Sequence, residues 1–240
     1  MFKPIIRRTW RTARRLYGTA RLAMLENNID AGDASTIFTR IYRTNYWGDG
    51  ESRSGEGSNL VQTEAVRARL SSLLGELRVR RLLDLPCGDF HRMKAVRLPP
   101  EVHYMGGDIV DEMIQRNARL YGAPQVSFQT LNLLYGPLPQ ADLILCRDCL
   151  VHFSFTDIAH AIRNLKRSGT PYLLVTHFTG DRRNHDIRTG DWRPLNLTEP
   201  PFCFPVPLRL IDERCTEGDG SFRDKSLALY RLDELPSPTC

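Results

Sequence analysis

The segment Arg81-Leu-Leu-Asp-Leu-Pro-Cys-Gly-Asp-Phe90 decides how the rest of this sequence is interpreted. It starts as a short apolar run, which is typical of a buried strand, and Pro86 and Gly88 then break that run. Glycine allows a tight turn in which the backbone can approach a ligand closely. The segment therefore predicts a strand that ends at the carboxylate of Asp84 and leads into a ligand-binding turn.

Strand-like and helix-like segments alternate on both sides of this turn. Apolar runs predict further strands at residues 103–108, 126–131, 142–146 and 171–177, and a closing pair at 208–212 and 226–232. Helical spacing of apolar residues predicts helices at residues 60–77, 110–120 and 155–167. This order predicts an α/β fold in which a doubly wound, seven-stranded, mostly parallel sheet is buried between helices on both faces.

Polar side chains follow several of the predicted strands. In doubly wound sheets, ligands bind at the carboxyl ends of the strands, next to the first strand. Asp108 ends the second predicted strand, where a carboxylate can accept hydrogen bonds from both hydroxyls of a ribose. Asn132 follows the third strand and offers an amide suited to an adenine edge, and Arg147 and Asp148 end the fourth. These residues predict a site for a cofactor that contains adenosine.

This ordered set of residues resembles the class I S-adenosylmethionine-dependent methyltransferases over about residues 58–232. The resemblance is most specific at residues 82–88 and 104–108. It implies a Rossmann-like sheet of seven strands with the last antiparallel, and S-adenosylmethionine as the cofactor. It also implies a cofactor site that contains Trp47, Asp84, Pro86, Gly88, Asp108, Ile109, Asn132, Leu133 and Arg147.

The chain departs from that family in the turn after the first strand. Members carry three alternate glycines there, but this chain has Pro86 at the first position and Phe90 at the third. We therefore expect the methionine end of the cofactor to be held differently. A dinucleotide dehydrogenase is disfavoured, because its G-x-G-x-x-G turn is missing. The lost glycines also leave open a catalytically silent methyltransferase-like module that binds a partner protein.

Four further motifs resemble a bacterial group of methyltransferases from glycan-synthesis clusters. They occupy residues 47–58, 84–90, 146–152 and 186–196. This resemblance implies a sugar or a related hydroxylated molecule as the methyl acceptor. The loop at residues 179–193 mixes acids, arginines, an amide and Trp192, a composition that suits sugar binding, although a solvated surface loop is the alternative.

Candidate catalytic groups for transfer to a hydroxyl are Asp148, His152 and His177, because such a transfer needs alignment and a base. The two histidines have a structural alternative, as packing or capping side chains. Motifs typical of methylation of nucleic-acid bases are absent after the fourth strand, so no nucleic-acid partner is expected.

The six cysteines are scattered, which favours reduced thiols and predicts no metal site. A single C-x-x-C motif at residues 146–149 has no second pair with which to complete a tetrahedral zinc site. The alternative is a divalent cation held by Asp148, Asp181 and Asp186, since hard cations prefer oxygen ligands.

The net charge of +5 originates in the N-terminal segment. Residues 1–22 contain seven basic residues and no acid, whereas the rest of the chain carries 26 basic and 28 acidic residues. Apolar residues recur there at helical spacing, so we expect a basic helical appendage at residues 1–46 and the methyltransferase domain at residues 47–240. We expect a cytoplasmic protein, with residues 1–22 either associated with the inner face of the membrane or packed on the domain.

Overall fold

The computed structural model describes residues 33–236. The helices in this range are α1 (Ala34–Thr44), α2 (Glu64–Glu76), α3 (Asp111–Tyr121) and α4 (Phe155–Arg167). The strands are β1 (Arg81–Asp84), β2 (His103–Asp108), β3 (Val126–Thr130), β4 (Leu143–Cys146), β5 (Tyr172–Phe178), β6 (Arg209–Asp212) and β7 (Lys225–Arg231). No helix within the described range is both long enough and apolar enough to cross a membrane.

The seven strands form one sheet in the order β3-β2-β1-β4-β5-β7-β6. Strands β1 to β5 pair in parallel, and β7 runs antiparallel to both β5 and β6. Each face of the sheet carries its own apolar cluster, one beneath α2 and the other beneath α4. The doubly wound, mostly parallel sheet predicted from the sequence is thus confirmed, with its last strand antiparallel.

The helix before β1 is shorter than predicted. The apolar spacing suggested a start at residue 60, but α2 begins at Glu64. Asn59 holds the intervening residues in turns, because its side chain accepts from the Gln62 amide at 2.9 Å and its carbonyl accepts from the Thr63 hydroxyl at 2.7 Å.

Helix α1 was not predicted as a separate element, because residues 37–46 have a mixed composition within the expected helical appendage at residues 1–46. Asp33 caps it by accepting from the Ser35 amide at 2.9 Å, and Ala34 and Ile41 are buried. Burial against the core offsets the low helix propensity of its β-branched residues. The boundary between an appendage at 1–46 and the domain remains a prediction. The predicted basic helix at 1–22 lies outside the described residues.

Candidate active site

A cleft opens at the carboxyl ends of β1, β2 and β4, where the strand order reverses direction. Its empty volume is about 870 Å³, including the space open to solvent at its mouth. Eight of the nine predicted cofactor residues line it, namely Trp47, Pro86, Gly88, Asp108, Ile109, Asn132, Leu133 and Arg147. The sheet therefore brings together side chains that are up to 100 positions apart in the sequence.

The backbone amides of the turn after β1 already donate hydrogen bonds to residues of neighbouring segments. The Leu85 amide donates to the Leu145 carbonyl, and the Cys87 amide donates to the Gly107 carbonyl at 2.8 Å. The Gly88 amide donates to Asp108 Oδ2 at 3.1 Å. Pro86 has no amide hydrogen. This turn is therefore held rigidly between β2 and β4, and these amides are not available to a ligand.

Gly88 is required by its conformation and by a close neighbour. Its φ of +59° lies in the left-handed region, and a Cβ at this position would overlap the Ser54 hydroxyl. We expect Gly88→Ala to lower the free energy of unfolding by about 1–2 kcal/mol, the usual cost of that conformation for a residue with a Cβ. Chemical denaturation measures this loss.

The matched control is Gly75→Ala in α2, where a Cβ would meet open space and φ is not positive. That change should stabilise the protein, by up to about 1 kcal/mol, because alanine is the better helix former. Equal effects of the two substitutions would contradict the assignment of strain to Gly88.

Phe90 stands at the position of the third glycine in the methyltransferases that the sequence resembles. Its φ of +63° is also left-handed, so the backbone keeps a glycine-like course. Its ring packs with centroid distances of 5.3 Å to Tyr104, 5.1 Å to Tyr121 and 5.0 Å to Phe128. Burial of this aromatic cluster stabilises a backbone conformation that phenylalanine alone disfavours.

Asp108 lies at the end of β2 with its carboxylate on the cleft. One oxygen accepts from the Gly88 amide and the other from the Val110 amide, each at 3.1 Å. Each carboxylate oxygen can accept a further hydrogen bond. Burial raises the pKa of Asp108 to about 6, although these amides favour the ionised form.

Asp84 does not line the cleft, contrary to the prediction that it binds the cofactor directly. Its side chain is fully buried beneath the turn, where it accepts from Arg92 at 2.6 Å and from the Tyr104 hydroxyl at 2.8 Å. A buried carboxylate needs such partners, so the residue supports the turn from below. Sequence position alone could not reveal these partners.

Asn132 lines the cleft after β3, but its oxygen is already engaged. Asn132 Oδ1 accepts from the Leu134 amide at 2.8 Å, which orients the side-chain amide nitrogen. Ile109 and Leu133 also line the cleft, with apolar side chains. Apolar lining residues beside one amide donor are chemically suited to an adenine ring.

Arg147 and Asp148 belong to a buried network of charges behind the cleft. Arg147 donates to Glu213 through two nitrogens at 2.6 and 3.2 Å, and its third nitrogen lies 2.9 Å from Asp148 Oδ2. Lys225 Nζ donates to the same Asp148 oxygen at 2.8 Å and to Glu217 at 3.2 Å. Glu213 follows β6 and Lys225 begins β7, and neither was identified from the sequence, because only the folded sheet brings them to Arg147 and Asp148.

This network makes Asp148 a poor proton acceptor. Burial opposes its ionisation, but the positive charges of Arg147 and Lys225 outweigh burial and hold the pKa of Asp148 well below its usual range. Its backbone has a φ of +51°, and its amide donates to the Thr176 hydroxyl at 2.7 Å. Asp148 lines the cleft as a fixed negative charge, a role different from that of a general base.

His152 lines the cleft and is placed as a neutral base. Its Nδ1 lies 2.8 Å from the Asp191 carbonyl, which can only accept, so Nδ1 carries the proton and Nε2 has a free lone pair. Burial lowers the pKa of His152 to about 4. Its ring also stacks against Trp47, with a centroid distance of 4.8 Å.

The glycine-rich segment at residues 48–58 covers one side of the cleft. The Asp89 carboxylate accepts from the Ser52 hydroxyl at 3.0 Å and from the Arg53 amide at 2.9 Å, and the Asp89 amide donates to the Ser54 hydroxyl at 3.1 Å. The segment is therefore fastened to the turn after β1. Other cleft residues not predicted from the sequence include Phe38, Tyr42, Arg53, Ser54, Ser58 and Arg92.

His177 does not reach the cleft, contrary to its prediction as a catalytic residue. It is buried in β5, and its Nδ1 accepts from the Leu197 amide at 3.1 Å. Burial also lowers the pKa of His177. The side chain anchors the long loop after β5, which corresponds to the structural alternative.

The loop at residues 179–193 was expected to bind sugar, but it does not line the cleft. Trp192 packs against Phe222, with a ring-centroid distance of 4.8 Å. Arg193 is buried and donates to the carbonyls of Leu150 and Phe153 at 3.0 and 2.7 Å. The loop thus holds the segment that carries His152, which is a positioning role.

Within residues 33–236, no three His, Cys, Asp or Glu side chains are grouped so as to hold a metal ion. Cys146 and Cys149 are both buried. Contact with Cys146 and burial raise the pKa of the Cys149 thiol well above its usual value. A raised thiol pKa disfavours the thiolate that redox and metal chemistry require.

No protein-family model and no curated protein matches this sequence. Among solved structures, human N-acetylserotonin methyltransferase in complex with SAM aligns with a TM-score of 0.50 and 18% identity. The alignment covers 85% of this chain but only 60% of the human chain. The N-methyltransferase NodS from Bradyrhizobium japonicum WM9 has the same TM-score of 0.50, with 20% identity over 71% of this chain and 93% of NodS. Together with the strand order, these likenesses show that the chain has the class I methyltransferase fold.

Proposed function

We propose that this protein transfers the methyl group of S-adenosylmethionine to a hydroxyl group of a small molecule, with a sugar or glycan as the acceptor class. One observation carries the proposal. The Asp108 carboxylate, fixed by the Gly88 amide, and the neutral His152 ring line the same cleft at the carboxyl ends of the strands. A binding group and a base thus face one shared space.

The cleft residues fit this cofactor. Asp108 retains acceptor capacity for both ribose hydroxyls, and the amide of Asn132 with the apolar lining residues Ile109 and Leu133 suits adenine. When bound, the cofactor supplies an electrophilic methyl group. The human relative with SAM bound supports this assignment through its fold.

His152 would remove the proton of the acceptor hydroxyl. Its Nε2 would accept that proton as the acceptor oxygen takes the methyl group, and S-adenosylhomocysteine would leave with the electrons of the broken sulfur–carbon bond. The Asp191 carbonyl keeps the ring oriented. The fixed negative charge of Asp148 favours the protonated imidazole that results, since opposite charges attract. Trp47 and Tyr42 line the cleft and offer aromatic surface for a sugar. They take the role that was expected of Trp192 from the sequence.

The silent-module alternative receives less support from the geometry. It was suggested by the two missing glycines, but Phe90 keeps the glycine-like backbone at one of these positions. The contact between Gly88 and Asp108 also remains in place. We therefore favour an enzyme over a module that only binds a partner.

The experiment that tests this function is a turnover screen with the full chain. S-adenosylmethionine is mixed with nucleotide sugars, glycans and lipid-linked saccharides, with and without EDTA, and formation of S-adenosylhomocysteine is followed. Mass spectrometry should then find one added methyl group on an acceptor oxygen. Transfer to nitrogen would contradict the proposed acceptor chemistry, and binding without turnover across the screen would favour the silent module.

Cofactor affinity is expected to fall as the pH falls below about 6. Ribose hydroxyls bind the ionised form of Asp108, whose pKa burial raises to about 6, so protonation competes with binding by up to about tenfold per pH unit. Calorimetry with S-adenosylhomocysteine at pH 5, 6 and 7.5 measures the fall. Asp108→Asn should abolish it, and an unchanged pH dependence in that variant would contradict the assignment.

A further inference from the structure

The turn after β1 cannot bind the carboxylate of the cofactor's methionine part through its backbone. The Cys87 amide is bound to Gly107, the Gly88 amide to Asp108, and Pro86 has none. The Asp89 amide donates to Ser54. A buried carboxylate still needs donors or a positive charge, so groups outside this turn must supply them.

Three arginines line the cleft, namely Arg53, Arg92 and Arg147. Arg147 already faces two carboxylates, those of Glu213 and Asp148. Arg53 is exposed, donates to the Tyr42 carbonyl at 3.2 Å and lies over the Tyr42 ring. Two carboxylates already offset the charge of Arg147, and an exposed arginine binds anions weakly because water screens its charge.

Arg92 differs from both. Its side chain is 5% exposed, and one terminal nitrogen donates to Asp84 at 2.6 Å. Its Nε is buried and has no hydrogen-bond partner among the described residues, although the side chain borders the cleft. Arg147 Nη1 also lacks a hydrogen-bond partner there, but it lies 2.9 Å from Asp148 Oδ2. An unpartnered buried donor on a cationic group is costly, and a carboxylate bound in the cleft beside this guanidinium would offset that cost through its charge.

We propose that Arg92 binds the methionine carboxylate of the cofactor and thereby replaces the missing glycine amides. This inference rests on the proposed function. Asp84 then has a positioning role, because its ion pair with Arg92 orients the guanidinium from beneath the turn. The carboxylate end of the ligand is then recognised by a planar, charged donor instead of backbone amides.

The test compares S-adenosylmethionine with its decarboxylated analogue, which lacks only the carboxylate. Calorimetry with the full chain should show at least tenfold tighter binding of S-adenosylmethionine. Two variants isolate Arg92. Asp84→Asn keeps an acceptor for the Tyr104 hydroxyl and should retain or increase the preference, whereas Asp84→Asn combined with Arg92→Met should bind both ligands within about twofold.

Pairing the two substitutions avoids leaving Asp84 buried and unpaired, which could unfold the protein. If the double variant nevertheless fails to fold, Arg92→Lys keeps the charge without the planar fork and should reduce the preference at least threefold. Arg53→Met is the matched cleft control and should keep the full preference. A preference that survives loss of Arg92, or that disappears in Arg53→Met, overturns the inference while leaving the proposed function intact. Failure of the native chain to bind either ligand instead overturns both.

Discussion

Replacing His152 by Asn is expected to lower kcat by a factor of about 10²–10⁴, the usual contribution of a positioned general base. Asparagine can still donate to the Asp191 carbonyl, as Nδ1 does now at 2.8 Å, but it has no atom that accepts a proton as Nε2 does. The variant should bind S-adenosylhomocysteine within about twofold of the native chain. Single-turnover rates with an acceptor from the screen measure the effect.

The matched control is His160→Ala, since His160 is partly exposed in α4 and contacts Tyr135 away from the cleft. It should leave kcat unchanged. The pH profile adds a second check, because burial lowers the pKa of His152 to about 4 and the ring stays neutral above that value. Activity that depends on His152 should therefore not decline between pH 8 and 6 at saturating cofactor. A His152→Asn variant with kcat within threefold of native would contradict its role as the base.

The fold could be predicted from the sequence because its signals are local. The apolar strands stand between turn-forming residues, and β2 (His103–Asp108) and α4 (Phe155–Arg167) occur at the predicted residues. The bounds of helix α1 were not predicted, because its burial against the core, which stabilises it, involves residues distant in sequence. Propensity and periodicity describe only near neighbours.

Much of the candidate site was predictable because strand ends determine position. Asp108, Asn132 and Arg147 reach the cleft because parallel strands end at the same edge of the sheet. Asp84 and His177 also lie near strand ends, but their side chains point into the interior and find buried partners. The direction of a side chain at a strand end depends on turns that the sequence pattern does not specify.

The loop containing Trp192 shows why composition alone misleads. Acids, an amide and an aromatic ring suit a sugar, but here Asp186 accepts from the Phe155 amide at 2.7 Å and Arg193 binds backbone carbonyls. The same polar groups satisfy buried backbone atoms in a chain segment without regular structure. The roles of Lys225 and Glu213 could not be predicted from the sequence, because only the folded sheet brings them to Asp148 and Arg147.

Asp108→Ala is expected to cost about 2–3 kcal/mol of cofactor affinity, the usual value for lost charge-assisted hydrogen bonds. The Asp108 carboxylate lines the cleft, where the Gly88 and Val110 amides hold it. In that position it can accept hydrogen bonds from both ribose hydroxyls. The matched control is Asp142→Ala. Asp142 accepts from the Arg80 and Arg81 amides at 2.8 Å, at the opposite end of the sheet.

Calorimetric titration of S-adenosylhomocysteine into the native chain, Asp108→Ala and Asp142→Ala tests the central claim most directly. Thermal melting first establishes that each variant is folded. We predict binding to the native chain, an unchanged dissociation constant in Asp142→Ala and a loss of about 30- to 150-fold in Asp108→Ala. No binding to the native chain at millimolar ligand, or equal binding by native chain and Asp108→Ala, would contradict the account.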